Sequence, residues 1–200
     1  SGARNCANLI NQIEGGKLEV IVENAAPLRT ASPALVKYRN LNKIYLKIVK
    51  TDRDEIQKKT NLRIDELVNF YNKKSTLAAW ETQLVDDGDF QEHSAEIKIP
   101  ALEPGEYVLL SSNNNAFDFD ENRLHAVAYS FFTASDIAYT YRNRGKEGLD
   151  FYLVNRRTGQ PLSNAKAQAW SQEYSNWSHS YVTKKGPLFK TDADGYFNIP

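Results

Sequence analysis

The chain is poor in the features that would fix its chemistry. Cys6 is its only cysteine, so no internal disulfide can form and nothing covalent staples the fold. That suits a reducing compartment and equally the periplasmic proteins that do without disulfides. No initiator methionine and no signal peptide are present. The start Ser1-Gly2-Ala3 reads as a segment of a longer protein carrying a tag scar. An excess of one charge is missing too. Lys and Arg number 25, Asp and Glu 25, for a formal net charge of +0, which gives no electrostatic reason to expect nucleic acid or an anionic membrane as partner. No apolar run approaches the roughly 20 residues that span a bilayer, so no membrane contact is expected of this segment.

Catalytic signatures are lacking as well. There is no Gly-x-Ser-x-Gly elbow and no phosphate-cradling Gly-rich loop. His93, His125 and His179 are far apart, and none has the i, i+4 partner of a helical zinc site. His125 reads as a strand residue packed or hydrogen-bonded in a sheet. Asp192, Asp194 and Gly195 resemble a calcium loop without its later bidentate Glu, and a turn is the better reading. Asp118, Asp120 and Glu121 place oxygen ligands on one polar loop, the stronger of two weak calcium candidates. Cys6 lies on the apolar side of a short helical pattern with Leu9, Ile10 and Ile13. With no His or Lys nearby to lower its pKa, a buried or half-buried side chain is expected. The expectation is a non-enzyme, with no catalytic residue, cofactor or metal ligand.

What is present is strand periodicity. With 41% hydrophobic residues, 200 residues suffice for one large core or two small ones. Leu149, Phe151 and Leu153 alternate with Asp150, Tyr152 and Val154, and Thr158-Gly159 with Pro161 supplies the turn that follows. Asp192-Ala193-Asp194-Gly195 is another turn, feeding a strand from Tyr196 to Ile199. Strands are also expected over 18–23, 35–39 and 44–49, then around 80–84, 95–99, 106–111, 125–132, 137–141 and 165–169. The period changes once. Ile64, Leu67, Val68 and Tyr71 fall on one helical face, with Thr51 or Asp52 as cap of a first segment and Asn61 of a second. This helical insertion packs on the sandwich and leaves Lys58, Lys59 and Arg63 in water.

The organisation expected is all-β: a helical tail over 1–15, then two tandem immunoglobulin- or fibronectin-like β-sandwiches. The first covers 16–134 with its helical insertion at about 52–74. The second covers 135–200. Its some 66 residues fall short of the roughly 100 of a whole immunoglobulin-type sandwich, so it is either small or truncated. The stretch Trp170 to Lys185 reads as a loop holding Tyr174, Trp177 and Tyr181. Exposed, these three rings would stack on sugars or anchor a protein partner. Buried, they would complete a core, and burial of at least two is expected.

Four stretches carry a family likeness. They are Leu35 to Tyr45, Leu102 to Leu109 with its Pro104-Gly105-Glu106-Tyr107 turn, Phe132 to Ala138, and the hairpin Asn155 to Ala165 with Thr191 to Gly195. In this order they resemble the N-terminal part of bacterial alpha-2-macroglobulin-like proteins, especially long envelope proteins of the Bacteroides type. That resemblance implies macroglobulin-type sandwich domains within a protease trap, in which a bait segment is cleaved and a Cys-x-Glu-Gln thioester couples to the attacker. Cys6 is followed by Ala7, Asn8 and Leu9, so it inherits no such role. The resemblance thus implies a non-catalytic structural module, with other domains of the same full-length chain, and proteases, as partners. It also implies a periplasmic or outer-membrane-anchored location. The alternative is a carbohydrate-binding accessory module built around Tyr174, Trp177 and Tyr181.

Overall fold

The computed structural model describes residues 6, 9, 10, 13–118, 125–177 and 179–200. The chain separates into two compact units, Ser1–Ser135 and Asp136–Pro200.

In the first unit, β1 (Lys17–Val22), β3 (Ser32–Arg39) and β6 (His93–Ile99) form a three-stranded sheet in the order β1-β3-β6. A five-stranded sheet takes β2 (Ala25–Ala26), β8 (Val127–Ala134), β7 (Gly105–Ser112), β4 (Lys43–Thr51) and β5 (Thr76–Gln83), in the order β2-β8-β7-β4-β5. Among the described residues only β2 pairs in parallel, with β8. Period 2 decides what each strand buries. On β4, Ile44, Leu46 and Ile48 face inward and meet Val20, Val36 and Ile99 of the smaller sheet.

The other face of β4 is covered as well, by the insertion between β4 and β5. It forms two helices, α1 (Arg53–Lys59) and α2 (Ile64–Asn72). Leu67, Val68 and Tyr71 of α2 pack against Val49, Val108, Leu110, Phe117 and Val127. The larger sheet is therefore sandwiched on both faces, which is why β7 is buried continuously from Tyr107 to Ser112 instead of alternating.

Polar contacts fix the helices. The Asp52 carboxylate accepts the Glu55 N–H at 2.9 Å and caps α1. The cap of α2 is Arg63, not Asn61. Its extended backbone and the Glu66 carboxylate, which accepts the Arg63 N–H at 3.3 Å, start the helix two residues later than the sequence suggested. Lys47 projects from the helix-facing side of β4, and its Nζ donates to the Asn72 carbonyl at 2.7 Å, satisfying a terminal carbonyl of α2. Burial pulls the Lys47 pKa down. Thr51 Oγ1 donates to Glu55 at 2.5 Å and lies 3.2 Å from the Tyr71 hydroxyl, while Glu55 is also ion-paired with Lys74. This network ties α1 to the end of α2. Two expectations fail here. Ile64 is 42% exposed, a turn short of the buried stripe, and Lys59 is half-buried because its ammonium sits 4.3 Å from the Phe70 ring centroid.

Cys6, Leu9, Ile10 and Ile13 are helical, as their spacing suggested, but all four are exposed. Cys6 is thus not the buried side chain expected, because its apolar neighbours Leu9, Ile10 and Ile13 are not packed into a core.

In the second unit, β9 (Ile137–Asn143), β10 (Leu149–Asn155) and β13 (Tyr196–Ile199) form an antiparallel sheet in the order β13-β10-β9. Among the described residues, β11 (Lys166–Ser175) and β12 (Ser180–Lys190) pair only with each other. The turn into β13 needs Gly195. Its φ is +75°, and a Cβ there would fall 2.3 Å from the Leu153 carbonyl oxygen. On β10, buried Asp150 accepts from Asn198 Nδ2 and the Tyr196 hydroxyl, each at 2.9 Å, with Arg144 at 3.4 Å.

Candidate interaction surface

Trp170-Ser171-Gln172-Glu173-Tyr174 and Tyr181-Val182-Thr183-Lys184 both fall in the stretch expected to be a loop. The structure pairs them: Tyr174 lies opposite Tyr181, Gln172 opposite Thr183 and Trp170 opposite Lys185. The expected loop over 170–185 is therefore wrong. These residues form the outer half of a long β-hairpin that turns after Ser175 and resumes at Ser180. Both strands are too polar to show a hydrophobic alternation, which is what hid them in the sequence.

Paired residues share a face. One face of the ribbon carries Trp170, Gln172, Tyr174, Tyr181 and Thr183, and the other carries Ser171, Glu173, Val182 and Lys184. The Tyr174 and Tyr181 rings meet edge-on, 5.5 Å apart at 72°. Burial of at least two of the three rings is overturned. Tyr174 is 53% exposed, Tyr181 71% and Trp177, in the turn, 95%. The reason is architectural, since a two-stranded ribbon has no further layer of its own to cover a face. Trp170 and Leu188 are exposed too, and Leu188 lies opposite Gln168 on the Trp170 side. Neither was singled out from the sequence, although the i, i+4 spacing of Trp170 and Tyr174 along a strand marks a shared face.

The other candidates are dispersed. His93 Nε2 lies 3.0 Å from Asp89 Oδ1, and this contact pushes the His93 pKa up. The Gln91 backbone N–H, then His93, hold the Asp89 carboxyl below its usual range. His125 precedes β8 instead of lying in it, and its Nδ1 is 3.0 Å from Asp118 because the chain has not yet entered the sheet. His179 sits exposed in the hairpin turn with φ +48°. Asp192 Oδ1 accepts from the N–H groups of Asp194 and Tyr196, each at 2.9 Å, which makes this segment a turn. Of the other calcium candidate only Asp118 can be placed, since Asp120 and Glu121 lie outside the described residues. Asp118 lines an acidic cleft of about 400 Å³ with Asp65, Glu66, Asn69 and Asn72. Among the described residues no three His, Cys, Asp or Glu side chains gather as metal ligands would, and no helix is long and apolar enough to cross a membrane.

No protein-family model matches the sequence, and no curated protein matches it. Solved structures do. The crystal structure of native alpha-2-macroglobulin from Escherichia coli spanning domains MG0-NIE-MG1 is similar with a TM-score of 0.56 at 14% identity, over 92% of this chain and 57% of that one. The cryo-EM native conformation of E. coli alpha-2-macroglobulin aligns with 92% of this chain and 11% of its own, at 13% identity and a TM-score of 0.40. Salmonella alpha-2-macroglobulin reacted with methylamine aligns with 91% of this chain and 13% of its own, at 13% identity and a TM-score of 0.35. The first likeness shows the fold. The chain has the architecture of macroglobulin-type, immunoglobulin-like β-sandwich domains, as its strand periodicity indicated, and it spans 57% of the length of that structure.

Proposed function

We propose that these residues are a non-catalytic structural and interaction module of a larger bacterial alpha-2-macroglobulin-like envelope protein, one that traps proteases. The observation that carries this reading is the likeness of fold to MG0-NIE-MG1 over 92% of the chain. The module's work is mechanical. A five-stranded sheet packed between a second sheet and helix α2 resists shear, and so fixes the positions of whatever is joined to it. Placement among long envelope proteins of the Bacteroides type, in the periplasm or on the outer membrane, belongs to the same proposal.

The test uses the full-length protein and a panel of endoproteases. A trap leaves the captured protease active on a small peptide substrate and inactive on a large protein. Unimpaired digestion of the large protein by every protease of the panel would remove the trapping reading.

Exposure of Trp177, Tyr174 and Tyr181 favours a second reading, an accessory module that stacks these rings on sugars. Neutral neighbours such as Asn176, Ser175 and Gln172 suit hydroxyl recognition. Glycan-array binding that disappears in Trp177→Ala supports it, and an array without any signal removes it.

A further inference from the structure

One face of the β11–β12 ribbon carries more than its rings. The face of Trp170, Tyr174 and Tyr181 runs on to the base of the hairpin, where Gln168 lies opposite Leu188 and Lys166 opposite Lys190, and Lys185 stands on it opposite Trp170. The other face turns inward at the base, since Phe189, paired with Ala167, stacks on Phe197 of β13 at 5.6 Å. The ringed face therefore points away from the unit's own sheet, and Lys166, Lys185 and Lys190 are all exposed on it.

Charge on this face has one sign. Glu173 is the only acidic residue in the two strands, and it lies on the opposite face, ion-paired with Lys184. No carboxylate of either strand thus shares the face with the three lysines. Lys166 and Lys190 stand directly opposite each other. Like charges so placed destabilise a strand pair, and an anion seated between the two ammonium groups removes the repulsion.

We infer that this face holds an acidic polysaccharide, one with carboxylates on some of its sugars. Trp170, Tyr174 and Tyr181 stack on the sugar rings, and Lys166, Lys185 and Lys190 take the carboxylates. The inference rests on the sugar-stacking reading above and adds to it the charge of the sugar. Dimensions argue for this occupant. From Tyr174 to Lys166 the strand runs roughly 26 Å at about 3.3 Å per residue, room for an extended polymer. Three cations over that length are sparse. A nucleic-acid strand brings a charge about every 3.4 Å and would leave most of them unmatched. A lipid surface fits no better, because it rewards a continuous apolar face, and here Gln172 and Thr183 lie between the two tyrosines and Trp170. That amide and that hydroxyl suit the hydroxyls of a sugar.

Binding of the 200-residue chain to polygalacturonate, alginate and hyaluronate, each compared with its own methyl ester, tests the inference. At least one acid form is expected to bind about tenfold or more tightly than its ester, with an affinity that falls as salt rises. A triple variant, Lys166→Gln, Lys185→Gln and Lys190→Gln, should lose that preference while its urea midpoint holds or rises slightly, since the opposed pair is relieved. Trp170→Ala should weaken acid and ester by the same factor. Binding to neutral sugars alone, acid and ester bound equally, or a triple variant that keeps the preference overturns the inference and leaves the sugar-stacking reading standing. No binding to any of these polymers, with no signal on an array of neutral glycans, removes both. Phosphatidylglycerol vesicles or oligothymidylate bound as tightly as the best acid form also overturn it, and would make the face a lipid or nucleic-acid surface.

Discussion

Asp150 and His93 are held by neighbours in opposite senses. Asp150 is buried yet charged, because hydrogen bonds from Asn198 and then Tyr196, with the Arg144 guanidinium nearby, keep its carboxyl below the ordinary range. Its contribution to stability is present above its unfolded value of 3.8 and is lost as pH falls through the lower folded one. His93 behaves the other way. Its pKa is raised above 6.5 by Asp89, so the tether it makes is fully present below 6.5 and is lost as pH rises through the folded value. Asp89 sets the acid limit: its pKa is lowered, so the contact holds down to 3.8 and is lost as pH falls through the lower folded value. Amide exchange in residues 86–92, corrected for the intrinsic pH dependence, is therefore expected to be slowest between these limits and to accelerate on either side. A His93→Gln variant should lose the alkaline limb. Gly195→Ala should cost more than about 1 kcal/mol in urea unfolding, because the new methyl meets the Leu153 carbonyl in a left-handed turn. That glycine was readable from the sequence, since Asp192-Ala193-Asp194-Gly195 announces a turn. The Asp150 cluster was not, since Arg144 comes from the turn after β9 while Tyr196 and Asn198 come from β13, far along the chain.

Among the elements, α2 and the β11–β12 hairpin make a contrast. The helix buries its stripe completely, and Leu67→Ala is expected to destabilise by roughly 2–5 kcal/mol. Ile64→Ala, at the exposed end of the same pattern, should change stability by less than about 0.5 kcal/mol. Chemical denaturation of the two variants separates them. The stripe was legible because i, i+3, i+4, i+7 spacing is specific to a helix laid on a surface. Its cap was misplaced by two residues, since Asn61 and Arg63 both precede the helix and only the Glu66 contact decides between them. The hairpin was illegible for the converse reason. A ribbon exposed on both faces is under no demand to alternate apolar with polar, so Ser175-Asn176-Trp177 reads as loop in isolation.

For the molecule as a whole, periodicity and turn chemistry were enough to give an all-β, sandwich-type fold with a helical insertion. They did not reveal which faces would be left open. That depends on how many strands stand in each layer, a long-range property that no local pattern encodes. The consequence for motion is direct. Amides of β4 and β7, in the sheet covered on both faces, should exchange only on global unfolding, whereas those of β11 and β12 should exchange through local opening. Native-state exchange across a series of denaturant concentrations checks this ranking, which fails if the hairpin proves as slow as β4. The exposure of Cys6 has a different outcome. With no methionine and one thiol in the sequence, peroxide finds a single sulfur to oxidise, on a helical segment outside the packed layers. Aerobic ageing of this chain should therefore yield one covalent homodimer, dissolved by dithiothreitol, with both sandwiches intact inside it.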